Sequence, residues 1–304
     1  MNIAPGTSRP VTTGGRAEFI RAVRGAVETG RGYAAGKLGN TERMILQYPV
    51  VLGRVRDPAG IHAFELALRN HALRHSGVFP AEPAFLRRFS DAYSDAIPVL
   101  DCIGLWPERP AGDMELLHGH DFHGLVVPFH DQEPDRSIPS DESLCYLSSF
   151  AGRRVLLVSP FASLLRERAN RATFEAVWAN IGKPWFEPAA VEAVELPYGF
   201  SPSTWKRYPD ALALLDEVLE KIDAVTYDIA LIATGGIAIP IAAALKARGK
   251  VALSLGGHLQ VLFGVSGARW RGDPFWSANY FNEAWIDMPD EHKPGEGESD
   301  ENYW

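Results

Sequence analysis

Two glycine pairs sit where a strand-like apolar run gives way to a helix-like one. Thr234-Gly235-Gly236 follows Asp228–Ala233, and Gly256-Gly257-His258 follows Lys250–Leu255. Without a Cβ, glycine lets an anion approach backbone N–H groups, and a following helix start adds a partial positive charge. Diphosphate binding answers to that pattern. A pair of plain tight βα turns answers to it equally, and the spacing alone leaves both open. Neither pair is a G-x-G-x-x-G, and no G-x-x-x-x-G-K-[ST] occurs. A third candidate is Asn40-Thr41-Glu42, which follows the apolar run Tyr33–Leu38 and opens a helical pattern. Glu42 there is either a metal ligand or base, or a solvated first-turn Glu favoured by the helix dipole.

His118-Gly119-His120-Asp121-Phe122-His123 is the densest run of metal-ligating side chains. His at i and i+2 with a nearby Asp can hold zinc, and an alternative metal-dependent hydrolase would use His118, His120, Asp121 and His123. The run resembles the H-x-H-x-D-H of metallo-β-lactamase-type hydrolases, with the Asp one place early. A solvated loop is the competing reading. There is no G-x-S-x-G elbow, H-E-x-x-H or C-x-x-C, and Ser159 precedes Pro160 rather than an elbow glycine.

The elements that must position these residues read as strands alternating with helices. Residues 16–28 carry Phe19, Ile20, Val23 and Val27 at helical spacing and stop at Gly30. Asn40 or Thr41 is placed to cap the next helix. Helices are expected over 60–75 and 83–97. The stretch 107–142, rich in Pro, Asp and His, has no regular pattern. Val155–Pro160 reads as a buried parallel strand, with a helix from about Leu164 to Trp178, a strand over 190–197 and an amphipathic helix over 209–222. Strand 228–233, helix 239–248 and strand 250–255 make a βαβ unit. The expected fold is α/β, a Rossmann-like, doubly wound, mostly parallel sheet with helices on both faces. In such a sheet ligands bind beyond the carboxyl ends of the strands, where both glycine pairs and Asn40-Thr41-Glu42 fall. Residues 1–15 read as a disordered lead-in, 16–286 as one domain, and 287–304 as an acidic tail.

Composition excludes several classes. Hydrophobic residues are 46% and charged residues 22%, which suits a globular chain with a sizeable core. Two cysteines, Cys102 and Cys145, make no disulfide framework. Residues 1–16 contain no apolar signal core, and no run approaches the roughly 20 residues of a membrane span, so a cytoplasmic chain is expected. Net charge is −8, concentrated between Asp287 and Glu301, and no basic face invites nucleic acid.

Several segments together resemble the GT-D bacterial glycosyltransferases. Lys37-Leu38-Gly39-Asn40-Thr41-Glu42 is similar to that family's R-x-G-D-G-E. VLLVSPF (155–161) is similar to the V-L-V-I-x-P-F strand of its polysaccharide-biosynthesis branch, and Ala233–Gly236 to its glycine turn. GGHLQVLFGVSGARW (256–270) resembles the branch's G-G-x-L-Q-x-L-F-G-I-x-G-x-R-W block, and Glu301-Asn302-Tyr303-Trp304 its closing segment. The resemblance implies transfer of a sugar from a nucleotide-sugar donor, UDP-sugar favoured, to a glycan or glycoconjugate acceptor in surface-polysaccharide assembly. It implies donor contacts from Lys37, Gly39, Gly235, Gly236, Gly256, Gly257, His258, Gln260 and Arg269. It also implies a divalent ion, Mn²⁺ or Mg²⁺, on an Asp-x-Glu pair that falls on Asn40 and Glu42, with both residues in catalytic positions. Asn40 departs from the family Asp, offering a neutral amide oxygen where a hard cation takes carboxylate. Trp270, Trp276 and Trp285 could stack on acceptor rings or pack in the core.

Overall fold

The computed structural model describes residues 11–108, 110–134 and 145–295. Among these residues the strands are β1 Thr12–Thr13, β2 Tyr33–Leu38, β3 Cys102–Leu105, β4 Leu125–Pro128, β5 Arg154–Val158, β6 Ala190–Val194, β7 Ile229–Ile232, β8 Val251–Ser254, β9 Val265–Ser266 and β10 Ile286–Asp287. The helices are α1 Arg16–Thr29, α2 Asn40–Arg54, α3 Pro58–His71, α4 Pro83–Ala96, α5 Pro110–Gly119, α6 Ala162–Arg168 and α7 Arg171–Val177. They continue with α8 Pro202–Arg207, α9 Ala211–Asp223, α10 Ala238–Ala247, α11 His258–Leu262, α12 Ala268–Arg271 and α13 Pro274–Asn279.

Eight strands form one sheet in the order β1-β4-β3-β2-β8-β7-β5-β6, and every pairing is parallel. Parallel strands are apolar on both sides because crossover helices cover both faces. Alternation along each strand divides the core accordingly. Ala34 and Leu38 of β2, Leu156 and Val158 of β5, and Ala230 and Ile232 of β7 pack into one layer with α2, α4, α9 and α10. Tyr33 and Ala35, Val155 and Leu157, and Ile229 and Leu231 pack into the other with α1, α6, α7 and α11. The α/β doubly wound architecture is thus present as expected.

Several details differ from the sequence reading. Within the lead-in, Thr12–Thr13 pairs with β4, and Gly14 N–H donates to Val126 O at 2.9 Å; backbone pairing at an edge needs no side-chain pattern. The N-cap of α2 is Gly39, and no side-chain cap hydrogen bond is formed there, so neither Asn40 nor Thr41 caps it. The patternless stretch contains α5, β4 and a 3₁₀ turn, Phe129–Gln132. The 164–178 helix is broken at Ala169-Asn170, where Asn170 caps α7 by accepting from Thr173 N–H at 3.0 Å. The acidic tail begins as structure. β10 pairs with β9, the Asp287 carboxylate accepts from Ser266 Oγ at 2.6 Å and from Arg271, and Tyr198 Oη donates to His292 O at 2.6 Å. Glu301–Trp304 lies outside the described residues.

Candidate functional site

The chain leaves β2 through α2 toward one face of the sheet and leaves β8 through α11 toward the other. Two neighbouring strands whose exits diverge open a crevice at their carboxyl ends. A cleft of about 500 Å³ lies there. Its walls come from the end of β2 and start of α2 (Lys37, Gly39–Glu42), the ends of β3 and β4 (Trp106, Phe129, His130), the turns after β7 and β8 (Gly235, Ser254–His258), the end of α3 and the turn after it (His71, His75, Ser76), and Arg269, Trp270, Asp273 and Trp276.

The floor is built around one buried carboxylate. Glu133 Oε1 accepts from Lys37 Nζ at 2.9 Å, faces His130 Nδ1 at 2.9 Å, and faces His258 Nε2 at 3.0 Å. The Glu133 side chain has no exposure. Burial by itself would raise its carboxyl; the Lys37 ammonium and the His258 and His130 imidazoles outweigh that and hold it well below the usual carboxylate range. Lys37 also donates to Leu255 O at 3.4 Å and lies 5.0 Å from the centre of the Phe129 ring. The turn that presents His130 and Glu133 is pinned from outside. Arg16 Nη1 donates to Glu133 O at 2.9 Å, Tyr146 Oη to Gln132 O at 2.9 Å, and Phe129 stacks on Trp106 with ring centres 4.0 Å apart. The Trp106 indole N–H is buried and has no partner among the described residues.

Across the cleft, Glu42 turns back over Gly39. A Cβ added at Gly39 would stand 2.5 Å from Glu42 Oε2, so the glycine is what lets the carboxylate lie there. Glu42 keeps some accessible surface, yet protein surrounds its carboxyl closely enough that burial raises it; the N–H groups of Glu42 and Gly39 offset only part of that. Asn40, one residue into α2, is exposed. His71 and His75 flank this wall with ring centres 5.1 Å apart, and burial, then His75, pushes the His71 imidazole down.

Lys37, Gly39, Asn40, Glu42, Gly235, Gly256, Gly257, His258 and Arg269 therefore surround one space. Gly236 and Gln260 do not line it. A Cβ at Gly236 would meet Val78 Cγ2 at 2.3 Å, so this glycine makes room for packing rather than for an anion. Gln260 Nε2 donates to Ser266 O at 3.3 Å and lines an adjoining pocket instead. Gly235 is doubly constrained, with φ of 59° and Ser76 O 2.5 Å from where its Cβ would be. Gly256, φ 58°, has nothing within 4 Å of that point, so the second turn is the open one. Trp270 and Trp276 are buried in the wall beside His258, whereas Trp285 donates to Val177 O at 3.0 Å away from the cleft.

The adjoining pocket, about 130 Å³, opens beside Gly235, Gly256 and Gly257. Phe161, Leu196, Tyr198, Phe200, Leu214 and Ile237 make it apolar. Thr234 lines it, and its hydroxyl is buried without a partner among the described residues.

The hydrolase constellation does not assemble. His118 is exposed near the end of α5, His120 Nε2 pairs with Leu46 O at 3.0 Å, and His123 pairs with Asp121 at 2.7 Å. Among the described residues the group of three with ligating atoms within 4.8 Å is His130, Glu133 and His258. There the Lys37 ammonium already shares the carboxylate oxygen and opposes a second cation. Asn40 and Glu42, the pair to which the resemblance assigns a divalent ion, both line the cleft and supply one carboxylate between them, fewer ligands than a complete protein cage.

His130, Glu133, Trp106, His71 and His75 were not singled out in the sequence. The readable sign was His-x-x-Glu at 130–133, a spacing that aligns two side chains on a 3₁₀ turn.

No family model and no curated protein matches this chain. Three solved structures align with it. All three are described as domain of unknown function 1792, and one of the first two as having a distinct glycosyltransferase fold; those two are 10% and 11% identical, cover 93% of this chain and 92% of theirs, and give TM-scores of 0.47. The third is described as a new glycosyltransferase from Streptococcus sanguinis, at 12% identity, 93% and 96% coverage and a TM-score of 0.43. At this level of likeness the chemistry has to be read from the cleft's own residues.

Proposed function

We propose that this chain transfers a sugar from a nucleotide-sugar donor, a UDP-sugar in the first instance, to a hydroxyl of a glycan or glycoconjugate acceptor in surface-polysaccharide assembly. One observation carries the reading. The segments that resemble GT-D enzymes, Lys37–Glu42, Ala233–Gly236 and Gly256–Trp270, lie far apart in the chain yet each contributes to a single cleft at the carboxyl ends of β2, β7 and β8, the glycine turn through Gly235.

The cleft has the parts such a transfer needs. Lys37, His258 and Arg269 offer positive or hydrogen-donating groups to a leaving diphosphate, and Gly256 leaves backbone open to it. The adjoining apolar pocket suits the flat base of the nucleotide. Its volume is close to the about 150 Å³ that holds a benzene ring in an engineered apolar cavity. A divalent ion held by Glu42, the Asn40 amide oxygen and the donor phosphates would neutralise the departing charge. Lys37, fixed by Glu133, holds its ammonium at the cleft floor whether or not that ion is bound.

Thermal-shift titration against UDP-, GDP-, CDP- and dTDP-sugars, with and without Mn²⁺, tests the reading. Stabilisation by one donor class, abolished by Gly257→Trp, is the expected result. Silence across all four classes would end it. Asn40 supports a second reading, a binding module on the same cleft, which gives donor stabilisation without any sugar transfer.

A further inference from the structure

We infer that His130 is the proton acceptor for the acceptor hydroxyl in this cleft, with Glu133 as its positioning residue; the inference rests on the glycosyl-transfer reading. Of the two residues that the resemblance puts in catalytic positions, Asn40 carries an amide and cannot take a proton from a hydroxyl, and Glu42 is the carboxylate that would hold the divalent ion. Some other group at the cleft must do so.

The geometry selects His130. Its Nδ1 is 2.9 Å from the ionised Glu133 carboxylate, which can only accept, so Nδ1 carries a proton and the neutral ring has its lone pair on Nε2. Nε2 has no hydrogen bond among the described residues. The side chain is 38% exposed and lines the cleft, while the Glu133 side chain behind it has no exposure at all. A reachable imidazole backed by a buried, orienting carboxylate is the base arrangement of nucleophile-activating dyads on many folds. His258 touches the same oxygen, but its side chain is only 8% exposed and its ring packs near Trp270 and Trp276, so it is not placed to take a proton from an incoming hydroxyl. Trp106 and Phe129 meet the His130 ring edge-on at 5.2 and 5.5 Å and fix its plane.

In the step, the acceptor O–H bond breaks and its proton goes to His130 Nε2. The acceptor oxygen forms the new bond to the anomeric carbon. The bond from that carbon to the donor diphosphate breaks, and its electron pair leaves with the diphosphate. The imidazolium is met by the Glu133 carboxylate already in place, so no group has to reorganise.

The test uses the full chain with ¹⁵N-labelled histidine. Long-range ¹H–¹⁵N spectra should show one imidazole with protonated Nδ1 and bare Nε2 that disappears in His130→Gln. In Glu133→Gln that imidazole should become a mixture of tautomers, because an amide no longer dictates which nitrogen donates. In parallel, His130→Gln should lower the rate of sugar transfer by about 10²–10⁴-fold while donor binding changes less than about threefold. His130 is at the surface of the cleft, so this variant keeps the reading testable even if Glu133→Gln fails to fold. Transfer within about threefold of the parent chain in His130→Gln overturns the inference. So does a parent His130 with Nδ1 bare, or one equivalent of divalent metal lost on His130→Gln. A parent chain that neither binds donor nor transfers sugar defeats the glycosyl-transfer reading and this role together, and the nitrogen spectra would tell that failure apart from a misassigned base.

Discussion

Replacing Lys37 with Met should strand a charge in the protein interior. The ammonium lies 2.9 Å from Glu133 Oε1, with side-chain exposures of 6% and 0% for the pair. At that distance and an effective dielectric of about 20 the attraction is about 6 kcal/mol. Desolvation offsets part of it, and removing one partner of a buried pair costs about 3–5 kcal/mol in practice. For a chain of this size that corresponds to a fall in Tm of about 5–8 °C. Urea unfolding followed by circular dichroism at pH 7.5 would read the loss. The pH dependence has a fixed sign. The Glu133 carboxyl is depressed in the fold, so its contribution in the parent chain is present above the unfolded value of about 4.3 and is lost as pH falls through the folded value. In Lys37→Met the deficit should therefore be largest near neutral pH and shrink in acid, where the stranded group can take a proton. The double variant Lys37→Met/Glu133→Gln removes the charge while keeping an oxygen for the two imidazoles. It should be at least about 1 kcal/mol more stable than Lys37→Met alone. A deficit under about 1 kcal/mol in the single variant, or a double variant less stable than the single, would refute the charge argument.

Gly39→Ala puts a Cβ 2.5 Å from Glu42 Oε2, the mobile end of a side chain. Stability should change by less than about 1 kcal/mol, while Mn²⁺-stimulated donor binding, measured calorimetrically, should drop because the carboxylate is displaced; unchanged binding would count against a role for Glu42. Gly236→Ala drives a methyl to 2.3 Å from Val78 Cγ2 and should lower the urea midpoint by the equivalent of about 1–3 kcal/mol. Thr234→Val removes a buried hydroxyl that has no partner among the described residues, so the free chain should lose almost no stability. Nucleoside diphosphate affinity should fall about tenfold if the base takes up that hydroxyl, as equilibrium dialysis would show.

The second half of the sheet was legible because its strands are short apolar runs closed by glycine turns and followed by apolar helices, as in 228–255. β3 was not, because Cys102-Ile103-Gly104-Leu105 has four residues, one of them glycine, and β4 ends in a proline. The same obscurity hid the floor of the cleft. His130 and Glu133 sit in a segment whose Pro, Asp and His content resembles a loop, and what orders it is remote. Arg16, Tyr146 and Trp106 hold the turn from three other places in the chain, contacts that no local pattern announces. Lys37 was read as a donor contact from its neighbours in sequence; that it is locked by a buried acid 96 residues away became visible only in three dimensions. The glycine pairs divide the same way. Gly256 is open as the anion argument wanted, whereas Gly236 is spent on packing.

The strand order also governs when the molecule can begin to work. β2 pairs with β8, and Lys37 donates to Leu255 O, 218 residues further on. At about 5–20 residues per second, a ribosome needs about 10–40 s to supply that partner after Lys37 has emerged. Through that interval the middle of the nascent sheet has an open edge and no cleft exists. A truncated product would therefore be inert toward donor and prone to adhere to other chains, and ligands should rescue only molecules whose synthesis has passed β8.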